Sequence, residues 1–302
     1  MDSRRSDNYI TLALNAYISE DTEQAVSFFE KALSFPNSKE EYINIYYNLA
    51  QIYDELNENE KAIEMYEKII SIDFQAQAFY GKAIIFEKLE EYDLAEKSFR
   101  VAIDLDGTFR DARFFLANLF DIQGDYKQAI IEYKNFLKIF PEDYMGLNNL
   151  GSIYEEVGEY DKSLPLLEKS IGIREDYYLS HFNLAVVLYR LGRKDESIEH
   201  YYRAKELKPD HGNIYLNLSA IYIAEGELEK SEKILKEGLI HNPNMANLYY
   251  NLACTSFKLS LKDEGLKYLK KAISLNSDLY LYGMNDPDFK DIKFPEEFRN
   301  LE

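Results

Sequence analysis

Tryptophan is absent from this chain of 302 residues, and cysteine occurs once, as Cys254. A single cysteine cannot form an internal disulfide and gives no cysteine metal cluster. The histidines fall in separate places, without the HExxH spacing of zinc enzymes; they are His181, His200, His211 and His241. Neither a G-x-G-x-x-G turn nor a Walker phosphate loop is present in the sequence. The absence of these motifs predicts a protein with no metal, no cofactor and no enzymatic activity.

Basic residues are also in short supply, with 35 lysines and arginines against 54 aspartates and glutamates and a net charge of −19. Such a surface repels the phosphates of nucleic acids and of anionic membranes. No apolar run approaches the length of a membrane span, and the opening residues MDSRRSDNYI have no apolar stretch behind them. These features predict a soluble, cytoplasmic protein with basic or neutral protein partners, and with no nucleic acid or membrane among them.

Tyrosine (26) and phenylalanine (18) are abundant, and an apolar fraction of 46% is enough for a folded core. The most regular pattern is a pair of small residues twelve positions apart, which recurs eight times. We call its members the first and the second small position. The first small positions are Ala13, Ala50, Ala83, Ala117, Gly151, Ala185, Ser219 and Ala253. The second are Ala25, Ala62, Ala95, Ala129, Ser163, Ser197, Ser231 and Gly265.

Large apolar residues surround these pairs at helical spacings. One follows the second small position by four residues, as in Phe29 and Leu235, and leucine precedes the first small position in every repeat except that of Lys82. Intervals of three and four residues are typical of helices. Between the two small positions, four repeats carry a glycine that can take the left-handed conformation ending a helix: Gly124, Gly158, Gly192 and Gly226. Each unit is therefore predicted to be two helices joined by a tight turn.

The second small positions lie 33 to 37 residues apart, and 34 in most cases, a period typical of stacked helical repeats. The pattern resembles the tetratricopeptide repeat, most clearly at Tyr215, Leu218, Ser219, Tyr222, Ser231, Leu235 and Pro243. The resemblance implies an all-α, right-handed α-α superhelix, a solenoid of about eight helix-turn-helix units. The expected repeats are residues 6–39, 43–75, 76–109, 110–143, 144–177, 178–211, 212–245 and 246–279, preceded by a frayed start at 1–5.

Residues 280–302 do not follow the repeat and are predicted to form a C-terminal capping segment. Asp286 and Pro287 are a good start for a helix, and later apolar residues could cover the last repeat; they are Phe289, Ile292, Phe294 and Phe298. A segment that docks a partner is the alternative.

Helical geometry directs the residue two before each first small position away from the partner helix. Asparagine occupies this place in five repeats, at Asn48, Asn149, Asn183, Asn217 and Asn251. In the family this face lines a concave channel, and an amide can pair with the backbone of a peptide of any sequence. The resemblance thus implies an asparagine ladder for a bound peptide; the alternative is that the amides only bond their neighbours.

The remaining channel positions are acidic toward the N-terminus and apolar toward the C-terminus. The acidic candidates are Asp54, Glu55, Glu87, Asp121 and Glu155. The candidates in the later repeats are Val186, Tyr189, Arg190, Ile223, Cys254 and Phe257. Because apolar side chains that no core needs are candidate anchors, we expect a bound segment with a basic and an apolar stretch. Alternatively, these apolar side chains pack against the tail or against a second copy of the chain. Cys254 is expected to line the channel and not to act as a nucleophile.

The predicted function is that of an interaction scaffold that holds a protein segment in its channel. The alternative is a structural or self-assembling protein whose channel is filled by its own tail or by another copy. An RNA-binding helical repeat is disfavoured by the net charge of −19.

Overall fold

A computed structural model describes residues 3–35 and 38–289 of the chain. Within these residues the backbone forms seventeen α-helices and one 3-10 turn, with no strand. Sixteen of the helices form eight consecutive pairs. The pairs are α1 (Ser3–Ile18) with α2 (Thr22–Leu33), α3 (Lys39–Glu55) with α4 (Asn59–Ile72), α5 (Ala76–Lys88) with α6 (Tyr92–Leu105), α7 (Arg110–Ile122) with α8 (Tyr126–Ile139), α9 (Tyr144–Glu156) with α10 (Tyr160–Ile173), α11 (Tyr178–Arg190) with α12 (Lys194–Leu207), α13 (Gly212–Ala224) with α14 (Leu228–His241), and α15 (Ala246–Lys258) with α16 (Lys262–Leu275).

The chain divides into two compact units, Met1–Pro141 with α1–α8 and Glu142–Glu302 with α9 onward. In each unit the second helix of one pair packs against the first helix of the next, as α4 does against α5 and α14 does against α15. None of the helices in the described ranges combines the length and the hydrophobicity needed to cross a bilayer.

All sixteen small positions are buried, as the repeat pattern predicts. A Cβ atom added to Gly151 would lie 2.8 Å from Cγ of Leu167 on the partner helix, so nothing larger than hydrogen fits there without movement. At two of the serines in the second position, the hydroxyl donates to the backbone at the first position of the same pair: Ser163 Oγ lies 2.6 Å from the Gly151 carbonyl oxygen and Ser197 Oγ 2.7 Å from that of Ala185. The third, Ser231, shares a hydrogen bond of 2.9 Å with the hydroxyl of Ser219. The helices of a pair therefore meet at these sites, and the buried hydroxyls are hydrogen-bonded.

The large residues around the small positions are mostly core, with one clear exception. The leucines before the first small positions are at most 3% exposed from Leu49 onward, whereas Leu12 is 45% exposed. The expectation that every such leucine is buried is therefore wrong for Leu12. Within each unit, the first helix of a later pair packs against helices of the pair before it, and no described pair precedes α1.

The turn inside each pair contains one residue with a left-handed backbone, seven positions after the first small position. The four predicted glycines have φ between 72° and 77°. In the other four pairs the same place holds a residue with a side chain, with φ between 58° and 64°: Glu20, Asn57, Glu90 and Ser260. In all eight turns the N–H of the residue after the left-handed one bonds the carbonyl oxygen five residues earlier, as Glu159 N does to Tyr154 O at 2.8 Å, which is the Schellman pattern.

Two segments differ from the sequence-based prediction. The three extra residues near 37–41 lengthen α3, which begins at Lys39 after a capping box in which Ser38 and Glu41 bond each other's backbone N–H. After the eighth pair, a further helix, α17, spans Asp278–Asn285. The predicted helix start at Asp286 and Pro287 is instead a single 3-10 turn, Pro287–Phe289. Ile292, Phe294 and Phe298 lie outside the described residues.

The sequence predicts that the four histidines lie apart from one another, and this is wrong for His181 and His200. His181 and His200 stack with their Nδ1 atoms 2.9 Å apart. His181 Nε2 lies 3.0 Å from the carbonyl oxygen of Glu175. A carbonyl can only accept, so His181 carries its proton on Nε2, and its Nδ1 accepts the Nδ1–H of His200. Burial lowers the pKa of both histidines, and for His200 the neighbouring His181 lowers it further.

The left-handed turn residues generate a pair of opposite stability predictions. Glu90→Gly relieves the steric cost of a side chain at positive φ and should raise the free energy of unfolding by roughly 1 kcal/mol, while Gly158→Ala should lower it by a similar amount. Urea unfolding followed by circular dichroism measures both. Glu91→Gly is the matched control, because it removes the same charge at a residue with φ of −83°. Equal stabilisation by Glu90→Gly and Glu91→Gly would contradict the strain argument.

The stacked histidines predict a pH dependence of stability. Because the fold lowers the pKa of His181 and His200, the unfolded chain binds more protons than the folded chain near and below pH ~6.5, and the unfolding free energy falls as the pH drops through that range. His200→Gln should flatten this decline between about pH 7 and pH 5.5, where carboxylates contribute little. Thermal unfolding at several pH values measures it. The exposed His241 gives the control His241→Gln, and a wild-type slope in His200→Gln would disprove the assignment.

Candidate functional site

The first helix of each pair carries a face that its partner helix does not cover. We call it the open face, and it consists of the residues two before, and one, four and five after, the first small position. The two compact units each have their own open face, acidic and aromatic in Met1–Pro141 and richer in amides and apolar groups in Glu142–Glu302.

The five ladder asparagines are all half-buried on this face, and several bond neighbours. Asn48 Nδ2 donates to the Asn44 carbonyl oxygen at 2.7 Å, and Asn217 Nδ2 donates to the Tyr201 hydroxyl at 2.9 Å. These bonds agree with the alternative that the amides bond within the chain. Each uses one donor, and a primary amide has two donors and two acceptor lone pairs, so capacity for a further bond remains.

Asn148, which the sequence pattern did not single out, orients two members of the ladder. Asn148 is 2% exposed. Its Oδ1 accepts from Nδ2 of Asn183 at 3.1 Å and from the hydroxyl of Ser180 at 3.2 Å, and its Nδ2 donates to Oδ1 of Asn149 at 3.1 Å. No local signal distinguishes Asn148 from Asn149, because the bond to Asn183 spans 35 residues. Asn251, the last member, lies half-buried on α15.

On the open face of the first unit, the predicted acids differ in how their charge is balanced. Asp54 forms an ion pair with Lys88 at 2.8 Å, and Glu55 is exposed beside the hydroxyl of Tyr17. Asp121 is half-buried on α7. Glu87 is half-buried, its Oε2 has no contact with solvent, and within the described part of the chain that oxygen receives no hydrogen bond. Burial raises the pKa of Glu87.

A cavity of about 540 Å³ opens beside these acids. Its lining residues are Asp54, Tyr66, Tyr80, Gly81, Ile84, Ile85, Glu87, Lys88, Glu90, Tyr92, Phe115 and Ile122. Gly81 stands where other repeats have the ladder asparagine, and a Cβ there would lie 2.4 Å from Cζ of Tyr66. The glycine thus admits the Tyr66 ring against the α5 backbone, and no asparagine projects into the space.

In the second unit, the open face contains a smaller cavity of about 180 Å³. Its lining residues are Val186, Tyr189, Arg190, Tyr201, Asn217, Ala220 and Ile221. The structure therefore brings together four of the predicted residues and adds Tyr201, which the sequence pattern assigned to the core. Arg190 lies 3.9 Å from Glu155. Burial raises the pKa of Glu155, and the charge of Arg190 offsets part of that rise. Ile223 is half-buried outside this cavity.

The last two predicted channel residues are covered by the segment after α17. Phe289 is 2% exposed and packs edge-on against Tyr250 and Phe257, with ring centroids 5.3 Å apart in both cases. Cys254 belongs to the same buried cluster and is 7% exposed.

Polar contacts hold this segment on α15. The Tyr250 hydroxyl donates to Oδ2 of Asp286 at 2.6 Å, and Lys258 pairs with Asp288. Burial, followed by the charges of Asp286 and Asp288, raises the pKa of the Cys254 thiol far above its ordinary value. The thiol is therefore protonated and covered. Across the described residues, no group of three or more histidine, cysteine or acidic side chains is placed to hold a metal ion.

Comparison with known families agrees with the helix pairs and their buried small positions. Models of the tetratricopeptide repeat match residues 43–75, 80–144, 144–208 and 246–279, which together are more than half of the chain. The chain belongs to the tetratricopeptide repeat family. No curated protein matches its sequence.

Several solved structures share the fold. A tetratricopeptide repeat protein from Parabacteroides merdae is 16% identical, with a TM-score of 0.64 over 81% of this chain and 99% of that one. The Cut9–Hcn1 hetero-tetramer of the APC/C is 17% identical, with a TM-score of 0.60 over 92% of this chain and 55% of that one. PilW, a type IV pilus biogenesis factor, is 14% identical, with a TM-score of 0.60 over 72% and 97%. At such identities the likeness shows an all-α repeat solenoid.

The covered thiol provides a direct test of the contact between the terminal segment and α15. Phe289→Ala should remove the cover and speed the reaction of Cys254 with a disulfide reagent such as dithionitrobenzoate by about tenfold or more, because exposure and loss of desolvation both favour the thiolate. Since Cys254 is the sole cysteine, the released chromophore reports on it alone. Leu281→Ala, at a residue 66% exposed on α17, is the control. Identical rates in wild type and Phe289→Ala, with unchanged helix content, would rule out the cover.

Proposed function

We propose that this protein is a non-catalytic interaction scaffold, which binds an extended segment of another protein along the open faces of its first helices. The observation that carries the proposal is the cavity in the second unit, where an amide and apolar side chains converge at one place. Repeat solenoids commonly bind their partners on such extended surfaces.

The amides favour an extended backbone as the bound element. Packed helices lie ~8–10 Å apart and an extended chain advances ~3.3 Å per residue, so successive asparagines could reach about every third peptide unit. Asn183 and Asn217 are held by Asn148 and Tyr201 respectively. Side chains held in this way lose little further entropy on binding. Each bond adds only ~0.5–1.5 kcal/mol, so the ladder would set register more than affinity.

The cavity favours an apolar anchor residue in that segment. A dry cavity of ~150 Å³ can hold a benzene ring, so 180 Å³ fits one aliphatic or aromatic side chain. Val186, Ala220 and Ile221 supply apolar walls. Buried apolar anchors commonly dominate binding energy, and the amide of Asn217 lies beside this one.

A self-assembling or self-filled protein is the second candidate, and one observation favours it. The chain's own residues 286–289 cover Cys254 and Phe257 on the open face of α15. If that segment competes with partners, a bound peptide should hold more tightly to Phe289→Ala than to wild type. Sedimentation of the wild-type chain tests for a second copy. A cytoplasmic location stays a prediction from the sequence.

The scaffold proposal is tested by selecting twelve-residue peptides from a random display library on the wild-type chain and titrating the best of them by calorimetry. Ala220→Phe fills the cavity and should weaken binding by about tenfold or more. Ile240→Phe, at a residue 77% exposed on the second helix α14 and outside both the open face and the cavity lining, should leave it unchanged.

The combined variant Asn149/Asn183/Asn217/Asn251→Ala tests the ladder, and loss of two or three bonds should weaken the same peptide by about 10- to 100-fold. Unchanged affinity in a folded variant would rule out the ladder. A library that yields no peptide, or peptides that bind wild type and Ala220→Phe alike, would count against the proposed function.

A further inference from the structure

The cavity beside α5 in the first unit, described above, contains a carboxylate whose charge no neighbouring group among the described residues balances. Lys88 is the one basic residue in the lining, and it is engaged by Asp54, with Nζ 2.8 Å from Oδ1 and 3.2 Å from the Asp54 carbonyl oxygen. Glu87 therefore lines the cavity without a cationic partner among the described residues, and one of its oxygens is cut off from solvent and from hydrogen bonds. Burying a charge without a partner is costly.

Aromatic rings form the rest of this cavity. Tyr80 and Phe115 lie with ring centroids 6.0 Å apart at 60°, and Tyr66 contributes a third ring. The faces of such rings attract ammonium and guanidinium groups, and more so where water is excluded. The electronegative faces and the uncompensated carboxylate favour the same kind of ligand.

The backbone beneath the cavity is specialised to keep it open. Gly81 replaces the asparagine found at the ladder position of five other repeats, and the Tyr66 ring occupies the space that a Cβ atom would need. An asparagine at this position would project toward the cavity and displace Tyr66. The third repeat thus has a cavity of about 540 Å³ where others have a hydrogen-bonding amide.

We propose that this cavity binds the side chain of a lysine or arginine in the partner segment, with Glu87 as the charge partner and Tyr66, Tyr80 and Phe115 as the aromatic walls. This rests on the proposed function and adds the chemistry of one anchor residue. The charges agree, because Asp54, Glu87 and Glu90 outnumber Lys88 in the lining. An acidic or neutral anchor would leave Glu87 uncompensated.

The first test does not depend on any selected peptide. N-acetyl-lysine amide and N-acetyl-arginine amide are titrated into the isotope-labelled chain, with N-acetyl-norleucine amide as the uncharged probe. The basic probes should cause saturable amide shifts at Ile84 and Phe115, and the uncharged probe none. Glu87→Gln keeps the side-chain shape and should abolish the shifts, while Glu55→Gln removes an equal charge outside the cavity lining and should preserve them. Shifts that persist in Glu87→Gln, or that norleucine amide reproduces, overturn the proposal.

The second test uses the library-selected peptides. Their sequences should contain a lysine or arginine whose replacement by norleucine weakens binding by about tenfold or more, the usual scale for a charge-assisted hydrogen bond. In Glu87→Gln that replacement should have little further effect, as expected for two groups in direct contact.

The outcomes separate this inference from the proposed function. Peptides that bind, lose affinity in Ala220→Phe and have no need of a basic residue overturn the cation pocket and leave the scaffold intact. If the basic probes bind at this cavity but the library yields no binding peptide at all, the occupant is a free small cation, which overturns the proposal of a partner's side chain together with the scaffold. Lysine- or arginine-dependent peptides with additive effects of Glu87→Gln would place the contact elsewhere and overturn it too.

Discussion

The close approach of two helices at small side chains is the constraint on which the rest of this protein depends. Where the first and second small positions meet, there is no room for a larger group: Gly151 touches Leu167, and Gly265 lies against Phe257. The serines at these places remain hydrogen-bonded to the facing backbone or to each other, as Ser219 and Ser231 are at 2.9 Å. Because packing at this density tolerates few volume changes, the same small residues recur through all eight pairs. The left-handed turn residue between the helices follows from the same need for a short connection.

Committing one side of the first helix to this contact leaves another side uncovered, and there the two units diverge. In the first unit, Gly81 and Tyr66 replace an amide by an aromatic cavity beside Glu87. In the second, Asn148 and Tyr201 hold ladder amides in place next to a small apolar cavity. The repeated core is nearly uniform, so it specifies the fold without specifying a ligand. Differences between repeats on the open face supply the chemistry that distinguishes one binding surface from another.

The end of the described chain uses the open face in its own way. Phe289 enters between Tyr250 and Phe257, and Asp286 and Asp288 meet a tyrosine hydroxyl and a lysine. An aromatic side chain with a carboxylate on either side in sequence thus packs against α15 and binds its polar groups. This contact covers Cys254, and it adds to the packing of Phe257 against Gly265 within its own pair. It also makes the last repeat the place where a partner and the chain's own segment would compete.

The sequence alone determined the helix pairs, their number within the matched and described region, the sixteen small positions and the four glycine turns, because each depends on spacings within one repeat. The positions that make up the open face likewise follow from helical periodicity. The sequence failed in the first and last parts of the described chain: Leu12 is exposed, and a 3-10 turn at Pro287–Phe289 stands where a helix was predicted to begin. Tertiary structure alone decided that His181 stacks on His200, that Tyr66 lies over Gly81 and that Phe289 covers Cys254. Those contacts join residues 15 to 35 positions apart on different helices. The shape of a cavity depends on the space that side chains from several helices leave unfilled. A repeat pattern within one stretch of sequence carries no information about that space.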